Sequence, residues 1–235
     1  VYDDEAAYNN KTNGNVSTAY GVLVDGKAIC EGYARAFQLL CNKLGIECVS
    51  IAGMTGDVGH EWNCAKIDGN WYQVDVTWND SQDDFSNYYY FNLTDEQMYS
   101  SHRADDLFDE IEPDNYNNDE NLIGNLYVPE CNSTEYNYYN QTAPILYAFD
   151  EENDNTISNA LANSAVNGDN YFNIIVGDSL DFEDAYSTLV QDGYVVNYIE
   201  SANNMLWGEV ELDTSSYAYK NDTLRVITIV LNYIN

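Results

Sequence analysis

Between positions 30 and 44 the apolar residues fall three and four apart. Tyr33, Phe37, Leu40, Cys41 and Leu44 share one face, which predicts a helix after Cys30, with Cys30 at its N-terminus before the first turn. Lys43 suits its last turn and Gly45 its left-handed cap, with Ile46 packing back. The period then changes to two. Glu47–Gly53 predicts a strand that runs into a Gly-rich loop, Met54–Gly59, suited to a substrate-access loop or a plain connector. His60–Ile67 and Trp71–Trp78 alternate and read as two strands joined at Asp68-Gly69, a type I′ turn signal. With those two residues at the turn centre, Ile67 pairs with Asn70, His60 lies opposite Thr77, and Trp62 lies opposite Asp75. His60 and Asp75 are then diagonal neighbours on one face. A turn centred on Gly69-Asn70 leaves them on one face but further apart, and a three-residue turn separates them to opposite faces.

A polar loop follows over 79–87, then a strand at Tyr88–Phe91. Thr94 and Gln97 form a capping box for a short helix ending near Ser101. Upstream, residues 1–18 read as a polar, irregular leading segment, and Asp25-Gly26 as a turn before Cys30. Composition shifts after His102, and residues 103–124 are charged and Asn-rich, a linker pattern. Two α+β domains are expected, 1–112 and 125–235. The second reads as a helix over Glu152–Asn167 and a strand over Tyr171–Val176. A helix N-capped by Asp181 and closed by Gly193 comes next, then strands over Tyr194–Ile199, Met205–Leu212 and Leu224–Tyr233. That order predicts an antiparallel sheet. The second domain carries no catalytic constellation, and a binding or spacer role is expected of it.

Composition narrows the partners. Forty acids against eight bases give a net charge of −32 over 235 residues. Nucleic acid and anionic membrane surfaces are poor partners for such a surface. No stretch has the apolar length of a membrane span. A start at Val1 rather than methionine fits a processed or trimmed product. Five cysteines and two histidines, with no C-x-x-C pair, argue against zinc. The acidic run Asp150–Asn155 lacks the glycine and terminal glutamate of a calcium loop. No metal or cofactor is therefore expected. Cys41 and Cys48 flank the helix end and are candidates for pairing, with buried free thiols the default.

The chemistry concentrates in Cys30–Asp80. Cys30 opens a helix, where unpaired backbone N–H groups and the positive dipole end favour a thiolate and could hold a developing oxyanion. His60 is suited to take the thiol proton, and Asp75 to fix the imidazole tautomer and stabilise the imidazolium. A carboxylate within Val74-Asp75-Val76 requires a partner. His102 competes for the base role but has no evident strand partner bearing a carboxylate. Trp62 and Trp78 are expected to wall the core or cleft, with Asn63 and Thr77 supporting the site. Glu31 and Arg35, four apart on the helix, form an expected ion pair.

Three runs in order resemble the bacterial pattern of the transglutaminase-like superfamily: Cys30-Glu31-Gly32-Tyr33-Ala34, His60-Glu61-Trp62-Asn63 and Asp75-Val76-Thr77-Trp78. The resemblance spans about Ala19 to Arg103. It implies a papain-like Cys-His-Asp core and acyl transfer from glutamine or peptide amides. The substrate is then a protein or peptide, cell-wall peptide among the candidates, in an extracellular or cell-surface bacterial setting. In the family, part of the oxyanion hole comes from upstream of the cysteine. Hydrolysis is favoured over transfer to an amine, because no amine-acceptor pocket is legible. The rival expectation is a non-enzymatic cell-surface binding module that retains this fold.

Overall fold

The structure, a computed structural model, describes residues 1–9, 14–80, 88–104, 128–208 and 210–234. Of the polar loop expected over 79–87 and the linker expected over 103–124, residues 81–87 and 105–124 lie outside the described residues, while Asn79 ends a short helix and Arg103–Ala104 form a strand. The chain divides into two compact units, Val1–Asn137 and Tyr138–Asn235. The division falls later than the expected 112–125. Residues on the near side of it are tied into the first unit: the Cys131 amide donates to Asp95, and Tyr72 donates to Ser133.

The first unit has a short helix α1 (Asp4–Tyr8) within the segment expected to be irregular, capped by the Asp3 side chain. A π-helical turn at Gly21–Asp25 leads to the long helix α2 (Cys30–Leu44). Gly45 and Ile46 close α2 by donating to Asn42 and Cys41 carbonyls, the cap expected from the sequence. Glu31 and Arg35 form their ion pair on its exposed side. Five strands follow: β1 (Cys48–Thr55), β2 (Val58–Ile67), β3 (Asn70–Val74), β4 (Phe91–Leu93) and β5 (Arg103–Ala104). Two short helices, α3 (Val76–Asn79) and α4 (Asp95–Met98), interrupt them. The sheet order is β4-β3-β2-β1-β5, antiparallel throughout. Its core includes Trp62, Cys64, Tyr72 and Val74, with Tyr33, Ala34 and Cys41 of α2 buried as well.

The hairpin register is the expected one. Ile67 pairs with Asn70 and Asn63 with Val74. Asp68 and Gly69 both take positive φ, 47° and 90°, as a type I′ turn requires. The second strand is shorter than expected, however. It ends at Val74, and Asp75 caps α3 rather than continuing the ladder. The reason is the carboxylate itself: Asp75 accepts from the amides of Thr77 and Trp78, which turns the chain into a helical turn. The expected loop at Met54–Gly59 is also absent. β1 and β2 pair as far as Thr55 and Val58, leaving a two-residue turn at Gly56-Asp57. Tyr88–Tyr90 form a turn, and the strand expected over Tyr88–Phe91 begins only at Phe91. The capping box of Thr94 and Gln97 is present, although α4 ends at Met98. Gly53 of β1 is needed for its lack of a side chain. A Cβ there would lie 2.2 Å from the Arg103 carbonyl oxygen and 2.6 Å from the Trp62 ring.

The second unit contains α5 (Tyr138–Thr142), β6 (Ile145–Leu146), α6 (Glu151–Asn167), β7 (Tyr171–Val176), α7 (Phe182–Tyr186), α8 (Val195–Leu206), β8 (Ala218–Asn221) and β9 (Val226–Val230). A π-helical turn, Ser187–Gln191, extends α7. Asp150 and Asp181 cap α6 and α7, so the acidic run at 150–155 is a helix start. The expected strands at Tyr194–Ile199 and Met205–Leu212 are instead α8 and the turn after it. Val195, Tyr198, Ile199, Ala202 and Leu206 are all buried, a helical period that a six-residue apolar window cannot distinguish from a strand. The sheet, ordered β6-β7-β9-β8, is mixed rather than antiparallel, because β6 runs parallel to β7. The short β6 and the polar edge strand β8 carry no period long enough to read.

Candidate active site

Cys30 is the first residue of α2, half-buried, with its sulfur free. It follows Ile29, whose extended backbone (φ −95°, ψ 177°) stops the helix from starting earlier. No side chain caps this end. The Tyr2 hydroxyl lies close to the Cys30 backbone amide and side chain instead. Tyr2 is held in place by a bridge to Ala28. Its own pKa is raised, first by burial and then by the neighbouring Cys30 and Asp4.

The helix is fastened to the sheet by a buried amide. Asn63 of β2 donates from Nδ2 to the carbonyl of Ala34 at 3.1 Å and to that of Val49 at 3.3 Å. Ala34 lies one turn past Cys30, so this contact sets the cysteine against β2, the strand that carries His60. Gln38, further along α2, adds a bond to the Cys48 carbonyl.

His60 and Asp75 meet as the hairpin register predicts. His60 Nε2 lies 2.7 Å from Asp75 Oδ2. A second ring reaches the same oxygen: His102 Nε2, at 3.0 Å. A carboxylate only accepts, so Nε2 carries the proton on both rings. Nδ1 of His102 is then an acceptor, 2.9 Å from the Ser101 hydroxyl. The Cys30 side chain lies near the His60 ring, and with Nε2 occupied, Nδ1 is the nitrogen left to face it. The other carboxylate oxygen, Oδ1, accepts from the amides of Thr77 (2.8 Å) and Trp78 (3.2 Å). Asp75 thus receives four hydrogen bonds while fully buried, at 0% exposure.

These contacts set the charges. Burial is the largest influence on Asp75 and raises its pKa. The bonds from His102 and His60, the His60 charge and the Trp78 amide outweigh it, and the carboxyl is held below its ordinary value. Burial likewise opposes the charge on His60. Hydrogen bonds and charge from Asp75 and Cys30 win, raising His60 from 6.5 to about 9. His60 therefore binds its proton more tightly in the folded than in the unfolded chain. The stability this adds is complete below about 6.5 and lost as pH rises through about 9.

Residues 1–76, which include all three candidate catalytic groups, match the family model described as the transglutaminase-like superfamily. That match covers about a third of the chain, all of it within the first unit. Among curated proteins, the kyphoscoliosis peptidase of Mus musculus is 30% identical over 128 residues, covering 49% of this chain and 19% of its own. The Homo sapiens protein of the same name is 29% identical over 108 residues, covering 41% and 16%. The chain thus spans about a fifth of the length of these relatives. A solved structure, a TGase, is 24% identical over 35% of this chain and 24% of its own, with a TM-score of 0.31. The match to the family model is in keeping with thiol-dependent acyl chemistry as a general class.

Aromatic rings frame the candidate site. Trp62, fully buried, stacks on His60 with centroids 6.1 Å apart and donates from Nε1 to Gln73. Trp78, 36% exposed, lies 5.9 Å from His60 and 4.6 Å from His102, a cleft-wall position. Thr77 supports Asp75 through its backbone amide rather than its hydroxyl, which is buried without a partner. All five cysteines are free, Cys41 and Cys48 among them. His60, Asp75 and His102 each present a ligand-type atom within 4.8 Å of the others. Both Nε2 atoms approach Asp75 Oδ2 at hydrogen-bond distance, a shared-acceptor pair. No helix among the described residues is long and apolar enough to cross a membrane.

Two residues of this site are not apparent from the sequence. His102, expected to lack a carboxylate partner, shares the partner of His60. It reaches Asp75 because β5 pairs with β1, a two-residue ladder from the far edge of the sheet. Tyr2 sits in a segment with no readable period, and its bridge to Ala28 is a single isolated pairing.

Proposed function

We propose that the first unit performs thiol-dependent acyl chemistry on protein or peptide amides, with Cys30 as nucleophile, His60 as acid and base, and Asp75 as the group that orients His60. The observation that carries this reading is the Cys30–His60–Asp75 chain, closed by the 2.7 Å bond between His60 and a carboxylate saturated with donors. The Cys30 sulfur gives its proton to His60 and attacks the amide carbonyl carbon. The developing oxyanion lies over the start of α2, where backbone amides point outward. The protonated His60 then passes its proton to the leaving amine, and the acyl group remains on sulfur as a thioester. Water, deprotonated by His60, attacks the thioester and releases the acid and the thiol. Hydrolysis is the favoured outcome, and the peptidase name of the similar mouse and human proteins is in keeping with it.

The test is mass spectrometry of glutamine-containing peptides after incubation with the protein. Cleaved or deamidated products, absent with His60→Ala, are the expected result. Amine adducts instead of acids would redirect the reading to transfer. No product, with Cys30 alkylated no faster than a free thiol, would leave a non-enzymatic module. The same assay carries a pH prediction. Since His60 must be protonated to serve the leaving amine, kcat/KM is expected to fall as pH rises through about 9.

Tyr2 extends the proposal. Its hydroxyl, beside the Cys30 amide and sulfur, is positioned to donate to the oxyanion. Tyr2→Phe is expected to lower kcat by roughly 10–100-fold, with the rate of Cys30 alkylation little changed. An unchanged kcat would remove Tyr2 from the mechanism.

A further inference from the structure

We propose that His102 is a positioning residue for the proton chemistry of His60, acting through the carboxylate that the two rings share. The inference rests on the catalytic reading above and deepens it.

The side chain of His102 is fully buried, at 0% exposure, and that of Asp75 likewise. Packing does not explain its nitrogens. The ring lies among Trp62 (5.1 Å), Trp78 (4.6 Å), Tyr90 (5.5 Å) and His60 (5.4 Å), a setting that phenylalanine would fill equally well. Yet Nε2 points at Asp75 Oδ2, and Nδ1 faces the Ser101 hydroxyl. Buried polar atoms aligned in this way have a purpose beyond filling space.

That purpose follows from the acceptor. A carboxylate has about four lone-pair sites, and here all four receive donors, two amides on Oδ1 and two rings on Oδ2. Saturation stops the carboxylate from rotating, which holds the His60 ring in one plane with Nδ1 toward Cys30. It also divides the charge of Oδ2. An oxygen accepting two N–H bonds attracts each proton less than an oxygen accepting one. His102 thus limits how firmly Asp75 holds the His60 imidazolium, so the proton can leave when the amine departs. Other titratable groups lie around this pair among the described residues. Cys30 and the Glu61 carboxyl neighbour His60, Tyr90 packs on His102, and Tyr99 and Arg103 line a cavity beside it.

The test compares His102→Phe, which keeps the volume and removes both nitrogens, with His102→Gln, whose amide N–H can occupy the Nε2 position. Rates are counted per Cys30 thiol titrated, so that unfolded protein does not enter. His102→Phe is expected to lower kcat by roughly 10–100-fold with KM within about 3-fold, the signature of a lost alignment rather than lost binding. The His60 ring, followed by NMR titration, is expected to titrate about half a unit or more higher. His102→Gln is expected to restore most of both. Ser101→Ala keeps the ring and its packing but weakens the Nε2–H donor, and is expected to move His60 upward by a smaller amount. Should His102→Phe change only the melting temperature, or should His102→Gln be as impaired as His102→Phe, the ring is structural and the proposal fails. If Ser101→Ala and His102→Phe both leave the His60 titration where it was, it fails again. The NMR readout needs no substrate. If Cys30 in the unaltered protein proves no more reactive than a free thiol, the catalytic reading falls, while the His60 titration still decides whether His102 tunes it.

Discussion

Replacing Asp75 with asparagine is expected to lower kcat/KM by on the order of 10³–10⁴-fold, measured on any peptide the protein turns over. The size comes from the number of things one carboxylate does. Asparagine keeps one oxygen to accept from the amides of Thr77 and Trp78, so the cap of α3 can survive. The other position becomes an NH2 donor facing two Nε2–H donors. One ring must then give up its Nε2 proton, and for His60 that moves the proton to Nδ1, the nitrogen that has to accept from Cys30. The charge that stabilises the imidazolium is lost as well. His60 is therefore expected to titrate well below about 9 in this variant, and the alkaline fall in activity to move down with it. Activity within about 10-fold of the unaltered protein would mean that Asp75 is a helix cap and no more.

Cys30→Ala is expected to remove at least about 10⁴ of kcat while leaving the fold almost untouched. Cys30 is half-exposed, makes no disulfide and lies at the first position of its helix, where alanine is accommodated. Its unfolding free energy should stay within about 1 kcal/mol of the parent in a denaturant titration. The variant then separates binding from chemistry. A peptide substrate is expected to bind it with ordinary affinity and to remain intact. Retention of even a hundredth of the parent rate would place the nucleophile elsewhere.

How much of this is legible in the chain depends on the range of the contacts. α2 and its Gly45 cap are local, repeated every three or four residues, and read directly. The β2–β3 register depends on one two-residue turn, and Asp68-Gly69 specifies it, which is why the meeting of His60 with Asp75 follows from spacing alone. The end of β3 does not follow, because Val74-Asp75-Val76 alternates like a strand until the Asp75 side chain captures the two amides ahead of it. His102 and Tyr2 are placed by pairings between residues distant in sequence, Met54 with Arg103 and Tyr2 with Ala28, and no local period records such contacts. In the second unit, Tyr194–Ile199 shows the opposite failure. A short apolar run fits either period, and only the burial of Ala202 and Leu206 beyond it resolves the helix.

Gly53 has a consequence that reaches the chemistry from outside it. Its bare backbone lets Arg103 and Ala104 close against the sheet edge, and Arg103 is the residue next to His102. Any larger residue at 53 would push that edge outward and carry the second ring away from its carboxylate. A position with no reactive atom of its own thus controls the spacing of the proton network. Natural variation there should be as restricted as at the acid and the two imidazoles it keeps in register.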